Sequence, residues 1–95
     1  MKLYVDDMRT PPDGWQLART VDQAIDFLTH STVEELSLDF VIGSGFQDFS
    51  PVAHFVAGLP AEKRPRRVYI HTSSPAGARE LRRILEGRIA EIIRL

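Results

Sequence analysis

Four side chains capable of acid–base or metal chemistry stand directly after short apolar runs. Asp6 and Asp7 follow Leu3-Tyr4-Val5, Asp39 follows Leu36-Ser37-Leu38, and His71 closes Val68-Tyr69-Ile70. Each run has the length and the β-branched or aromatic content of a buried strand. Parallel strands place their carboxyl ends along one sheet edge, and open sheets of this kind bind ligands there. Three carboxylates gathered at such an edge repel one another, and a hard divalent cation such as Mg²⁺ relieves that repulsion through oxygen ligands. Asp6, Asp7 and Asp39 are therefore the expected metal ligands. The alternative for each is an ordinary role capping a loop or helix.

His71 has an imidazole whose pKa lies near neutrality, so it is a candidate general acid or base, or a donor to a phosphate oxygen. An internally bonded structural histidine is the other reading. Arg9, two residues past the acidic pair, reaches either a ligand phosphate or Asp7, and with His71 and Asp39 it completes the expected catalytic set. Thr72, Ser73 and Ser74 precede Pro75, with Gly77 in the turn that follows. Hydroxyls and free N–H groups at a helix N-terminus form an anion cradle, so Arg9, Thr72, Ser73, Ser74 and Gly77 are the expected phosphate-binding residues. Plain capping by Ser74 is compatible with that role.

The elements that must position these groups alternate. Thr20 precedes Val21, Ala24, Ile25 and Leu28 at helical spacing, and Gln23 completes a capping box. Leu36 to Ile42 reads as one strand broken by Gly43-Ser44-Gly45, which has too few glycines for a nucleotide-binding signature. A second helix starts at Ser50 or Asp48 with Pro51 in its first turn and buries Val52, Phe55, Val56 and Leu59. Val68 to His71 forms a third strand, and a third helix opens at Pro75, buries Ala78, Leu81, Ile84 and Leu85, and stops near Gly87. Residues 88–95 suit either a helix or a closing strand, and a strand is the reading preferred here. Met8 to Gln16 contains Pro11-Pro12-Asp13-Gly14 and reads as a loop. The β-α-β-α-β-α-β order implies a small three-layer α/β fold, a parallel sheet covered on both faces.

At 95 residues with 43% hydrophobic and 26% charged side chains, the chain suits a single domain over residues 1–95. It has no cysteine, which excludes disulfides, thiolate metal sites and a cysteine nucleophile, and makes the cytoplasm the expected compartment. No apolar run approaches a membrane span, and the acidic pair near the start does not suit a signal peptide. Net charge is −1, but residues 1–60 hold nine acids and three bases whereas residues 61–95 hold nine bases and four acids. Such a division can set a cation site beside an anion site. Nucleic acid is an unlikely partner, since Lys63-Arg64-Pro65-Arg66-Arg67 reads as a solvated connector. His30 and His54 read as exposed, Trp15 as cover for a core edge, and Ile92, Ile93 and Leu95 leave a homodimer open.

Taken in order, three segments resemble the cyclic-phosphate processing receiver-like family. They are Val5-Asp6-Asp7-Met8-Arg9 with Pro11-Pro12 and Gly14-Trp15, then Leu36-Ser37-Leu38-Asp39, then Ile70-His71-Thr72-Ser73-Ser74-Pro75-Ala76-Gly77. The resemblance implies a receiver-like (flavodoxin-like) fold shortened by one strand–helix unit. It also implies a role with cyclic phosphate esters, with Asp6, Asp7, Arg9, Asp39 and His71 at site positions. Where the family runs Leu-Asp-His-Asp, this chain has Leu38-Asp39-Phe40-Val41, so one histidine and one acid are missing; Ser74 stands where the family tends to carry asparagine. The lysine that a phosphorylatable receiver carries at the end of a late strand has no counterpart, because Lys2 and Lys63 are both misplaced for it. Two functions follow as expectations: metal-assisted phosphoester hydrolysis at the sheet edge, or a catalytically inactive module that recognises a phosphate-bearing small molecule, nucleotide or partner protein.

Overall fold

A computed structural model describes residues 1–43 and 46–95 of the chain. Ser44 and Gly45, the core of the expected glycine turn, lie outside the described residues. In chain order the elements are β1 (Lys2–Val5), β2 (Trp15–Ala18), α1 (Val21–His30), β3 (Glu35–Leu38), β4 (Val41–Ile42), β5 (Gln47–Asp48), α2 (Ser50–Gly58), a 3-10 turn (Ala61–Lys63), β6 (Arg67–Ile70), α3 (Pro75–Leu85) and β7 (Glu91–Arg94).

Five strands form one parallel sheet in the order β2-β1-β3-β6-β7. Counted along the sheet this is the 2-1-3-4-5 order of doubly wound flavodoxin-like folds, with the switch point between β1 and β3. The receiver-like α/β fold is thus present, and residues 88–95 do supply the closing strand. The shortening takes a different form from the one expected. Trp15–Ala18 is a strand, parallel to β1 from Lys2↔Trp15 to Val5↔Ala18, and only the helix between β1 and β2 is missing. Residues 6–14 make that crossover as a loop, tightened by a Trp15 N–H to Pro12 carbonyl bond and by Gly14 at φ +85°, a backbone region that disfavours side-chain-bearing residues.

The absent helix corrects the three-layer expectation. In parallel strands, paired residues share a face. Leu3, Val5, Leu36, Leu38, Val68 and Ile70 point to one side, where they join Ala24 and Leu28 of α1, Val52, Ala53 and Val56 of α2, and Ala78, Leu81 and Leu85 of α3 in one buried core. All three helices lie on that side, with α2 packed between α1 and α3. The other face carries Lys2, Tyr4, Trp15, Leu17, Glu35, Ser37, Arg67, Tyr69, Glu91 and Ile93, and no helix among the described residues covers it. Trp15 lies edge-on to Tyr4 (6.3 Å) and Tyr69 (5.9 Å), so aromatic side chains roof part of this face. Trp15 thus lies on the face away from the core and covers Tyr4 and Tyr69, not the core edge expected of it.

Local signals explain most boundaries. Thr20 caps α1 by accepting the Gln23 N–H (3.1 Å), while the Gln23 side chain accepts the Arg19 N–H (2.7 Å). The expected continuous strand from Leu36 to Ile42 is divided. Asp39 accepts the N–H of Phe40 (2.7 Å) at the end of β3, and Val41-Ile42 leaves the sheet to pair antiparallel with Gln47-Asp48. That hairpin delivers Phe49, which is fully buried and stands at the N-cap of α2; the Asp48 carboxylate accepts the Ser50 N–H beside it. Among the described residues, no helix is long and apolar enough to cross a membrane.

Phe49 joins the hairpin to the core, so Phe49→Ala is expected to cost about 3–5 kcal/mol of folding stability, measured as a shift in urea denaturation at neutral pH.

Candidate functional site at the carboxyl edge of the sheet

At the end of β1, the Asp6 side chain is 1% exposed. Its Oδ1 accepts the N–H groups of Met8 (2.8 Å) and Arg9 (2.9 Å), and its Oδ2 lies 3.0 Å from His71 Nε2. One buried carboxylate thus fixes the start of the helix-free crossover and joins it to the end of β6. Burial alone would push the Asp6 carboxyl up, but the Arg9 and Met8 N–H groups and His71 outweigh it and hold the pKa below the usual carboxylate range.

His71 is 6% exposed, and both ring nitrogens have partners: Nε2 with Asp6, and Nδ1 with the Ser37 hydroxyl at 2.7 Å. Burial pushes its pKa down, and the Asp6 carboxylate offsets only part of that shift. The pair is therefore a neutral imidazole beside an ionised carboxylate, with Nε2–H donating to Asp6 and Nδ1 accepting from Ser37. The Tyr4 ring stacks on the imidazole at 4.4 Å with an interplanar angle of 7°. This geometry matches a satisfied structural histidine, with no ring nitrogen left open to solvent.

Asp39 sits across the switch point, with its N–H bonded to the Val5 carbonyl (3.0 Å). One ligand atom each from Asp6, Asp39 and His71 lies within 4.8 Å of the others. Asp7 does not join them: its carboxylate accepts the Gly43 N–H (2.9 Å) and ties the crossover to the β4–β5 hairpin. Successive residues at a strand end point to opposite sides, which separates Asp6 from Asp7.

Arg9 donates from Nη1 to the His71 carbonyl (3.0 Å), with Nε 3.9 Å from Asp6 Oδ2, and its side chain remains half exposed. Tyr4, Arg9, Pro12, His71, Thr72, Ser73 and Leu95 line an open groove of about 370 Å³. The expected cradle is mostly engaged within the chain. Thr72 Oγ1 accepts the Ser74 N–H (3.2 Å), and Ser74 Oγ accepts the Gly77 N–H (3.0 Å), so Gly77 offers no free donor. Ser73 is exposed on the groove. Phe40 packs its ring against Gly77: a Cβ there would stand 2.5 Å from the ring.

Four contributors escaped the sequence reading. Ser37 orients His71, and its only signal was a polar residue inside the apolar run Leu36-Ser37-Leu38. Tyr4 covers the imidazole, and burial together with the Asp6 charge holds its phenol protonated, above its usual range. Arg19 Nη1 donates to the Arg9 carbonyl (2.9 Å), and Arg94 Nη1 donates to the Thr72 carbonyl (2.7 Å), so two guanidinium groups brace the loops that flank the groove.

The family profile of the cyclic-phosphate processing receiver domain matches residues 1–87. The chain belongs to this family. No curated protein and no solved structure matches the chain significantly. In this member of the cyclic-phosphate processing receiver family, Asp6, Asp39 and His71 form a cluster, and the Phe40 ring packs on α3.

The Phe40–Gly77 contact leaves no room for a methyl group. Gly77→Ala should destabilise the fold by about 1–3 kcal/mol through overpacking, and adding Phe40→Ala should recover part of the loss in denaturation measurements. A pH effect also follows from the Asp6–His71 pair. His71 has a folded pKa below its ordinary 6.5, so its contribution to stability is complete above that value and is lost as pH falls through the depressed one. Asp6, lowered from 3.8, adds a further loss in more acidic solution. Urea midpoints should therefore fall from neutral to mildly acidic pH, and the slope over this range should be shallower in His71→Gln.

Proposed function

We propose that the domain recognises a phosphate ester, carried by a small molecule or nucleotide, at the carboxyl edge of the sheet together with a divalent cation such as Mg²⁺. The observation that carries this reading is the meeting of Asp6, Asp39 and His71 beside Arg9 at the β1/β3 switch point. The donor set suits Mg²⁺, which binds through one or two carboxylates together with waters and ligand phosphate. Asp6 and Asp39 would hold the ion. His71, donating to Asp6 Oδ2, keeps that carboxylate aimed at the switch point, a positioning role that outer-sphere partners of metal ligands commonly have. Arg9 and Ser73 face the groove and would take phosphate oxygens. A bound cation would offset the negative charge that the two carboxylates and the phosphate share. A cytoplasmic setting, rich in nucleotides and Mg²⁺, is part of this reading.

Hydrolysis of a cyclic phosphate is the second reading, favoured by membership of the family. Among the described residues, one Asp39 carboxylate oxygen accepts no hydrogen bond, and it could take a proton from the attacking water. The committed nitrogens of His71 and the Phe40 replacement favour recognition without turnover. Titration of the protein with Mg²⁺ and a 2′,3′-cyclic nucleotide, followed by amide NMR and by phosphorus NMR of the nucleotide, tests both. Mg²⁺-dependent shifts near Asp6, Asp39 and Ser73 that vanish in Asp39→Asn are expected, with the nucleotide unchanged. Ring opening that Asp39→Asn abolishes would establish hydrolysis instead, and absence of any shift would remove both readings.

A further inference from the structure

Parallel sheets occur almost only with both faces covered, yet one face of this sheet carries no helix among the described residues. Its first row is an alternating charge ladder. Lys2, Glu35, Arg67 and Glu91 are in register across β1, β3, β6 and β7. Neighbours pair along the row: Lys2 Nζ to Glu35 at 3.7 Å, Arg67 to Glu35 at 3.4 Å, and Arg67 to Glu91 at 2.6 Å. Above it stand the buried Tyr4 and the partly exposed Leu17, Tyr69 and Ile93, with Trp15 at the β2 edge, so apolar area adjoins the ladder.

A row of plus, minus, plus, minus has a symmetry property. A two-fold axis along the strands, between β3 and β6, brings each charge opposite the reverse of the row. Lys2 then meets Glu91 of the other copy, and Glu35 meets Arg67 of the other copy, so every opposition is between unlike charges. We propose that the uncovered face is a homodimer interface in which two sheets pack face to face with their charge ladders in register. The occupant is a second copy of this chain, chosen because this face is complementary to itself. Five strands about 4.8 Å apart and four residues deep give a planar area of roughly 300 Å². A standard interface buries roughly 800 Å² per partner, so the dimer is a weak one that forms at high protein concentration.

Charge reversal separates this arrangement from any other. Glu35→Arg alone and Arg67→Glu alone each oppose like charges at positions 35 and 67 across the axis, and each should remain monomeric in sedimentation velocity. Mixed in equal amounts, the two variants restore unlike charges at all four oppositions and should form a heterodimer. In the wild-type protein, which needs no variant to fold, dilution should shift the NMR signals of Trp15, Tyr69 and Ile93. The proposal is overturned by a wild-type chain that stays monomeric at its solubility limit, which would leave the face to another partner. It is equally overturned by self-association that both reversals leave intact, by a mixture of folded variants that fails to associate, or by dilution shifts confined to the helical side.

Discussion

Everything at the carboxyl edge of the sheet is organised by one buried carboxylate. Asp6 receives two backbone N–H groups from its own loop and the imidazole of a strand far away in sequence. Removing the helix from a β-α-β crossover leaves the connecting loop without a rigid body to anchor it, and these bonds take over that task. The cost of burying the charge is offset by the number of donors around it, the condition under which ionised groups persist in an interior. One ligand atom each of Asp6, His71 and Asp39 lies within 4.8 Å of the others, so the bonds that anchor the loop are continuous with this cluster.

Phe40 stands just past the end of β3, where the resemblance of the sequence to the family implies a histidine. A histidine there would place a polar ring near the start of α3, whereas phenylalanine closes the space against Gly77. The ring joins the partly buried side chains packed on the core, and the chain turns straight from it into the β4–β5 hairpin.

Much of this was legible in the residues. The strands that carry Asp6, Asp39 and His71 are uninterrupted apolar runs, and parallel order alone places their ends together. Trp15–Ala18 escaped because an edge strand with Gln16 in it has no continuous apolar signal and follows a proline–glycine turn. The division of Leu36–Ile42 escaped because a hydrophobic run does not show where an aspartate side chain will cap the backbone and turn it. Asp7 was grouped with Asp6 by adjacency, although the alternation of side chains along extended backbone already argues against it. The partners of His71 were hidden for another reason: whether an imidazole is free or fully bonded depends on tertiary neighbours such as Ser37, and these have no sequence spacing to betray them.

The single tryptophan of the chain rests over the uncovered face, in edge contact with two tyrosines and with Lys2 Nζ 5.8 Å from its ring centre. An indole so placed senses, through its emission, both the polarity of whatever lies above the sheet and the approach of a quencher. Tyr4 links that indole to the imidazole, since its ring lies T-shaped to Trp15 and stacked on His71. The domain thus carries an intrinsic optical probe on its helix-free face, readable without a label.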